Sequence, residues 1–127
     1  MSELGQQLIA IVRRKAAESP GFVYQREAPD DEGYRPGLSI CKYVHSDGGP
    51  GCLIGQALFD AGLIDVDFNK SERNSSTICN LAEYYQWDID PTEIGWLREV
   101  QRNQDRDTYW GDAVAAADDI LRAVPSR

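Results

Sequence analysis

The stretch Asp90-Pro91-Thr92-Glu93 constrains the fold of this chain more than any other part of the sequence. Aspartate is a favoured N-cap, proline fits the first helical position, and a glutamate three residues after the cap completes a capping box. Apolar side chains follow at helical spacing, at Ile94, Leu97 and Val100. We therefore predict a helix that begins at Pro91 and packs this apolar stripe into a core.

Caps and helical spacing predict further helices on both sides of this one. The first helix is capped by Ser2 and stops at 19–21, and the second begins near Pro50 and stops at Gly62. A third helix is capped by Ser75 or Ser76, and the last begins at Trp110. The connection between the helix at Pro91 and the helix at Trp110 is short, so we expect these two helices to lie antiparallel. Gly51 and Gly55 share one face of the second helix, which would let another backbone approach closely.

Two short segments have the composition of strands. Residues 22–26 (FVYQR) are a short aromatic run, and residues 38–45 (LSICKYVH) alternate, with Leu38, Ile40 and Val44 on one side. The acidic segment between them contains two prolines and two glycines and is predicted to be an exposed loop. The expected fold class is therefore α+β, a mainly helical single domain over residues 1–127 with about five helices and one β-hairpin.

The charge balance argues against direct nucleic-acid binding. The chain carries 21 acidic and 13 basic residues, a formal net charge of −8. Phosphate backbones are bound by lysine and arginine, so a binder of nucleic acid would carry the opposite sign. Acidity favours solubility, and it also suits docking on a basic partner or imitation of nucleic acid.

Composition also bears on the compartment. No apolar run approaches the length that spans a membrane, and the start of the sequence lacks the charge order of a signal peptide. The three cysteines are odd in number and not densely spaced, which argues against a secreted disulfide scaffold. The prediction is a cytoplasmic protein without membrane contact.

A glycine-flanked cysteine is the best candidate for chemistry. Cys52 is predicted in the first turn of the second helix, where the helix dipole lowers the pKa of a thiol. His45 lies shortly before it, and a Cys–His pair is the minimum for nucleophilic catalysis, with Asp47 or Asp112 as an orienting carboxylate. The alternative is a core cysteine, because apolar residues follow Cys52 and free cysteine is among the most buried residue types.

The same turn raises the possibility of an anion site. Glycine-rich turns that enter a helix present free backbone N–H groups, and here these would belong to Gly48, Gly49, Gly51 and Cys52. The sequence lacks both the P-loop pattern and the dinucleotide-binding pattern G-x-G-x-x-G. A tight turn that allows close helix packing is the alternative interpretation.

Metal binding is not predicted. Cys41, His45, Cys52 and Cys79 could supply three thiolates and an imidazole, but the C-x-x-C spacing of structural zinc sites is absent. The segment from Asn103 begins like a calcium loop, yet it has threonine where glycine is needed and valine in place of the final glutamate. We therefore expect no metal and no cofactor.

Aromatic side chains are concentrated in the C-terminal half, at Tyr84, Tyr85, Trp87, Trp96, Tyr109 and Trp110. Most are expected in the core, but those exposed beside acidic groups would form a protein-binding patch. The candidates for such a surface are Asp30, Asp31, Glu32, Tyr34, Trp87 and Trp96.

Two segments resemble small proteins of actinobacteria and their phages. Residues 51–58 (GCLIGQAL) match a Gly-x-x-Cys-Leu-Val/Ile-Gly helix pattern that follows a short strand region, and residues 103–117 match a later Asn/Asp stretch with a Trp-Gly helix start. Gln56 stands where similar proteins have histidine. The family has no assigned activity, so the resemblance implies a setting and not a function.

These observations lead to three hypotheses. The first is a non-enzymatic, phage-encoded accessory protein that binds a host protein through an acidic and aromatic surface. The second is a small cysteine-dependent enzyme or ligand-binding domain that uses the turn between His45 and Cys52. The third is an acidic mimic of nucleic acid.

Overall fold

Five α-helices make up most of the part of the chain that the computed structural model describes, which is residues 2–23, 42–45, 48, 51–106 and 108–123. They are α1 (Glu3–Glu18), α2 (Leu53–Asp60), α3 (Ile78–Tyr85), α4 (Pro91–Gln104) and α5 (Trp110–Ala123). Two short 3₁₀ helices, Val66–Lys70 and Glu72–Ser75, connect α2 to α3. Within these described ranges, no helix combines the length and apolar character needed to cross a bilayer.

The predicted helix boundaries are confirmed where a local signal marks them. Ser2 caps α1, and Asp90 and Glu93 form the expected capping box of α4, with both reciprocal bonds present. Gly62 follows α2 with a φ of +77°, a conformation that favours glycine. The predicted cap of α3 at Ser75 or Ser76 is wrong, because Thr77 Oγ1 accepts the bond from the N–H of Asn80.

The predicted β-hairpin, and with it the α+β class, is wrong. The described residues contain no strand, and the chain is mainly helical. The N–H of Val44 donates to Asn74 Oδ1 at 3.0 Å, and its carbonyl accepts from Asn74 Nδ2 at 2.8 Å. The N–H of Tyr43 donates to the backbone carbonyl of Asn74. The backbone groups of Val44 are therefore bonded to the side chain of Asn74. Residues 24–41 lie outside the described residues.

The core forms where α1, α2, α4 and α5 meet, with α4 packed on each of the other three and α1 packed on both α2 and α5. Leu53, Ile54, Ala57 and Leu58 of α2 are all fully buried. The helices α4 and α5 pack against each other across the short connection that predicts an antiparallel pair, and Trp96 of α4 donates its indole N–H to Asp118 of α5 at 2.9 Å. Burial of this kind supplies about 1.5–3 kcal/mol for each large apolar side chain.

Two buried glutamines of α4 connect it to the starts of other helices. Gln101 Oε1 accepts from the N–H of Ile78 at the start of α3 at 2.9 Å, and Gln104 Oε1 accepts from the N–H of Leu53 at the start of α2 at 2.6 Å. The first N–H groups of a helix have no partner within it, so these bonds satisfy donors that would otherwise be buried unpaired.

Candidate functional site

The turn before α2 is shaped by close backbone packing. A Cβ atom on Gly51 would lie 1.8 Å from the carbonyl oxygen of Lys42, and one on Gly55 would lie 2.4 Å from that of Tyr43. Only glycine allows the start of α2 to approach the backbone of residues 42–43 so closely. The expected close approach of another backbone is confirmed at both glycines. The predicted helix start near Pro50 is wrong, because α2 begins at Leu53 and Gly51 lies before it.

The backbone donors of this turn already have protein acceptors. The N–H of Gly51 donates to the carbonyl of Tyr43, that of Cys52 to the carbonyl of Lys42, and that of Gly48 to the carbonyl of His45. An anion would need these groups free. The geometry therefore gives the anion hypothesis no support at Gly48, Gly51 or Cys52, and Gly49 lies outside the described residues.

Cys52 is a buried core residue and the N-cap of α2. Its side chain is fully inaccessible, and its Sγ accepts from the N–H of Gly55 at 3.4 Å. The sequence predicted a free thiol at this position, but the sulfur of Cys52 is disulfide-bonded. A sulfur in this state carries no thiolate, so it is not a nucleophile. His45 is partly buried, and Asp47 lies outside the described residues.

The remaining candidates for metal ligation and catalysis are not brought together. Cys79 is a partly buried free thiol, and Cys41 lies outside the described residues. Asp112 is exposed in the first turn of α5. Among the described residues, no group of three histidine, cysteine or acidic side chains could hold a metal ion.

An exposed aromatic cluster lies at the end of α3. Tyr84 is 57% exposed and Tyr85 41% exposed, and Trp87 is partly buried beside them. The rings of Tyr84 and Tyr85 meet edge to face with centroids 4.9 Å apart, and Tyr85 stacks on Trp87 at 5.3 Å. The guanidinium of Arg73 lies 3.4 Å from the ring centroid of Tyr84. We call Arg73, Tyr84, Tyr85 and Trp87 the aromatic surface.

The end of α3 places these rings together. Gln86 adopts the left-handed conformation, with φ 55° and ψ 43°, and thereby ends the helix. The chain reverses, and the N–H of Trp87 donates to the carbonyl of Ala82 at 3.0 Å. This reversal brings Trp87 back against Tyr85.

Two acidic residues flank the aromatic residues of this surface in the sequence. Glu83 and Asp88 are exposed next to it in the sequence. A hollow of about 340 Å³ beside Tyr84 is lined by Arg73 and Glu83 together with Ser76, Asn80 and Leu81. The combination is an aromatic platform with charged edges, open to solvent.

The other predicted surface residues do not belong to this cluster. Trp96 is only 3% exposed and packs in the core, so it offers no interface. Asp30, Asp31, Glu32 and Tyr34 lie outside the described residues. Trp87 was a predicted surface residue and is partly buried here, whereas Tyr84, Tyr85 and Arg73 were not predicted for this surface, because their exposure depends on how α3 packs.

No protein-family model, curated protein or solved structure matches the chain. The resemblance of residues 51–58 to small proteins of actinobacteria and their phages therefore stays a prediction.

Proposed function

We propose that this chain is a non-enzymatic binding protein that docks a basic protein segment on its aromatic surface. The observation that carries the proposal is the exposed contact of three rings and a guanidinium at the end of α3. The resemblance to small proteins of actinobacteria and their phages supports a phage-encoded accessory protein, for which the partner is a host protein.

The composition of the aromatic surface supports a protein partner. Tyrosine, tryptophan and arginine are the residue types that carry most of the binding energy in interfaces. Their mutual contacts hold the side chains in place before binding, which reduces the conformational entropy that association would cost. An aromatic platform of this kind is suited to contacting apolar side chains on a partner.

Charge supports the choice of a basic partner. The chain has a formal net charge of −8; Glu83 lines the hollow beside Tyr84, and the exposed Asp88 follows Trp87 in the sequence. Arg73 is the one cation within the aromatic surface, and it lies over the ring of Tyr84. Complementary charge increases association rates and disfavours acidic competitors.

The test compares binding by matched tyrosine variants. Tyr84→Ala removes the most exposed ring of the aromatic surface, while Tyr109→Ala removes a tyrosine that is 54% exposed elsewhere on the molecule. A partner captured by the wild-type chain should bind Tyr84→Ala at least about tenfold more weakly and Tyr109→Ala within about twofold of wild type. Isothermal titration calorimetry with the purified partner gives these affinities.

Salt dependence tests the charge of the partner. Raising the ionic strength screens exposed charges, so binding of a basic segment should weaken progressively with added salt.

The tyrosine variants also provide the result that would contradict the proposal. If Tyr84→Ala and Tyr109→Ala lose affinity equally, or if neither loses affinity, the interface lies elsewhere on the protein.

A further inference from the structure

One face of the Tyr84 ring is occupied in the free protein by a cation from the same chain. The guanidinium of Arg73 lies over this ring, 3.4 Å from its centroid, which is van der Waals contact. Tyr84 is 57% exposed, so the contact lies at the protein surface. The ring face therefore accepts a guanidinium, and the protein itself supplies the one that is there.

Apart from this ring, the guanidinium of Arg73 has no bonding partner among the described residues, since it forms no ion pair and no side-chain hydrogen bond there. Arg13 provides the contrast. Its guanidinium lies 4.9 Å from the ring centroid of Trp96, but it also makes two bonds to Asp118, at 2.9 Å and 2.7 Å. A cation–π contact at an exposed site is weak. Arg73 can therefore leave its ring at a lower cost than Arg13.

A carboxylate lies in the hollow beside the ring. Glu83 lines this hollow of about 340 Å³ together with Arg73 and Tyr84. Within the part of the chain that the structure describes, Glu83 and Arg73 do not form an ion pair. A carboxylate is therefore available to the guanidinium of Arg73 once it leaves the ring. The same carboxylate and the net charge of −8 attract a second cation to this place.

We infer that the ring face of Tyr84 receives a guanidinium of the partner, and that Arg73 occupies this position until the partner binds. The inference rests on the proposed docking of a basic segment on the aromatic surface, and it identifies arginine as the residue that the segment presents. A planar guanidinium stacks on an aromatic face, whereas the ammonium of lysine is a more strongly hydrated point charge. The arginine of the partner and Arg73 therefore compete for one position.

The experiment measures binding of a synthetic pentapeptide that alternates leucine and arginine and has both ends blocked, by NMR titration of the ¹⁵N-labelled protein. Arg73→Ala empties the ring face. Arg98→Ala is the matched control, because it removes the same charge from an exposed position on α4 that does not line the hollow. The Arg73→Ala protein should bind the peptide at least about threefold more tightly than the Arg98→Ala protein, since only the first has lost the competitor.

Two further peptides test the choice of a guanidinium. Lysine in place of arginine keeps the charge, and citrulline keeps the planar shape but has no charge. The Arg73→Ala protein should bind the lysine peptide at least about threefold more weakly than the arginine peptide, and the citrulline peptide at least about tenfold more weakly. Equal affinity for the arginine and lysine peptides would overturn the assignment of arginine.

Displacement of Arg73 has a signal of its own in the wild-type protein. The ring of Tyr84 shifts the side-chain proton resonances of Arg73 in the free protein, and this ring-current shift should disappear as the arginine peptide saturates the protein. Resonances that stay in place at saturation would overturn the inference. Arginine-peptide binding by Arg73→Ala that is absent, or no tighter than binding by Arg98→Ala, would also overturn it.

These outcomes are separate from the test of docking itself. Docking on the aromatic surface depends on the difference in partner affinity between Tyr84→Ala and Tyr109→Ala, which stands even if Arg73 is not displaced. If those two tyrosine variants bind the partner equally well, docking and the exchange at Tyr84 both fail.

Discussion

Gln104 Oε1 accepts a 2.6 Å hydrogen bond from the backbone N–H of Leu53, so the last turn of α4 holds the first turn of α2. Both residues are fully buried. The two are 51 positions apart in the sequence, and their contact joins α2 to α4.

Loss of this acceptor should destabilise the fold. Gln104→Leu keeps a similar volume but leaves the N–H of Leu53 buried and unpaired, which costs about 1–3 kcal/mol. Gln7→Leu is the control, because Gln7 is exposed on α1 and its replacement should change stability by less than about 0.5 kcal/mol. Urea unfolding followed by circular dichroism measures both values. Equal stability of the two variants would show that another group satisfies Leu53.

Replacing Gly55 or Gly95 by alanine should change the stability of the fold in opposite directions. A Cβ at Gly55 would lie 2.5 Å from the Cα of Tyr43, whereas a Cβ at Gly95 meets nothing within 4 Å. Gly55→Ala forces α2 away from residues 42–43 and should cost about 1–3 kcal/mol or more. Gly95→Ala improves helix propensity and should stabilise α4 by up to about 1 kcal/mol.

Thermal unfolding of the two alanine variants provides the comparison. The melting temperature should fall for Gly55→Ala and rise for Gly95→Ala. A Gly55→Ala protein as stable as wild type would mean that the approach of α2 to Tyr43 is not a tight constraint.

The local signals of the sequence predicted local structure well. Ser2, Gly62 and the Asp90–Glu93 box each act on groups within a few residues, so the sequence alone determines their effect. The hairpin prediction failed because the bonds that fix Val44 come from an asparagine 30 residues away. Alternation of apolar and polar residues does not by itself identify a partner strand.

Side-chain exposure and sulfur chemistry could not be predicted in the same way. The sequence placed Cys52 beside a helix start, but its disulfide depends on the path of the chain and not on local spacing. Tyr84 and Trp96 are both aromatic residues on helices, and only the packing of α3 and α4 exposes the first and buries the second.

Tyr43 should make stability depend on pH in the alkaline range. Burial raises the pKa of its phenol, because a phenolate would lose its hydration, while the hydrogen bond donated by Gln101 acts in the opposite direction. The unfolded chain therefore loses this proton first, near pH 10. The stability due to neutral Tyr43 is complete below about pH 10 and falls above it, by up to about 1.4 kcal/mol per pH unit.

The control for this pH dependence is Tyr43→Phe, which cannot ionise. It loses the bond that the hydroxyl donates to the carbonyl of Ser76, so it should be less stable than wild type at neutral pH. The difference in unfolding free energy between the two proteins, measured in urea between about pH 8 and pH 11, should shrink above about pH 10. A constant difference would show that Tyr43 ionises at the same pH in both states.

Glycine in place of Gln86, the left-handed residue that ends α3, should make the fold more stable. Gln86 has a positive φ, which costs a residue with a Cβ about 1 kcal/mol, and its side chain is exposed. Gln86→Gly should therefore raise stability by up to about 1 kcal/mol, whereas Gln7→Gly inside α1 should lower it by about 0.5–1 kcal/mol. Gln86→Val should be destabilising, because a β-branched side chain tolerates this conformation poorly.

Measurements on the Gln86 variants also test how the aromatic surface is held. Chemical unfolding gives the stability of each variant, and the near-ultraviolet circular dichroism of the aromatic rings reports their packing. Gln86→Gly should preserve the wild-type spectrum, since the turn that returns Trp87 to Tyr85 keeps its geometry. Gln86→Val should weaken the signal from these rings. If Gln86→Gly were destabilising, the left-handed conformation of residue 86 would not be what ends α3, and the placement of Trp87 would need another cause.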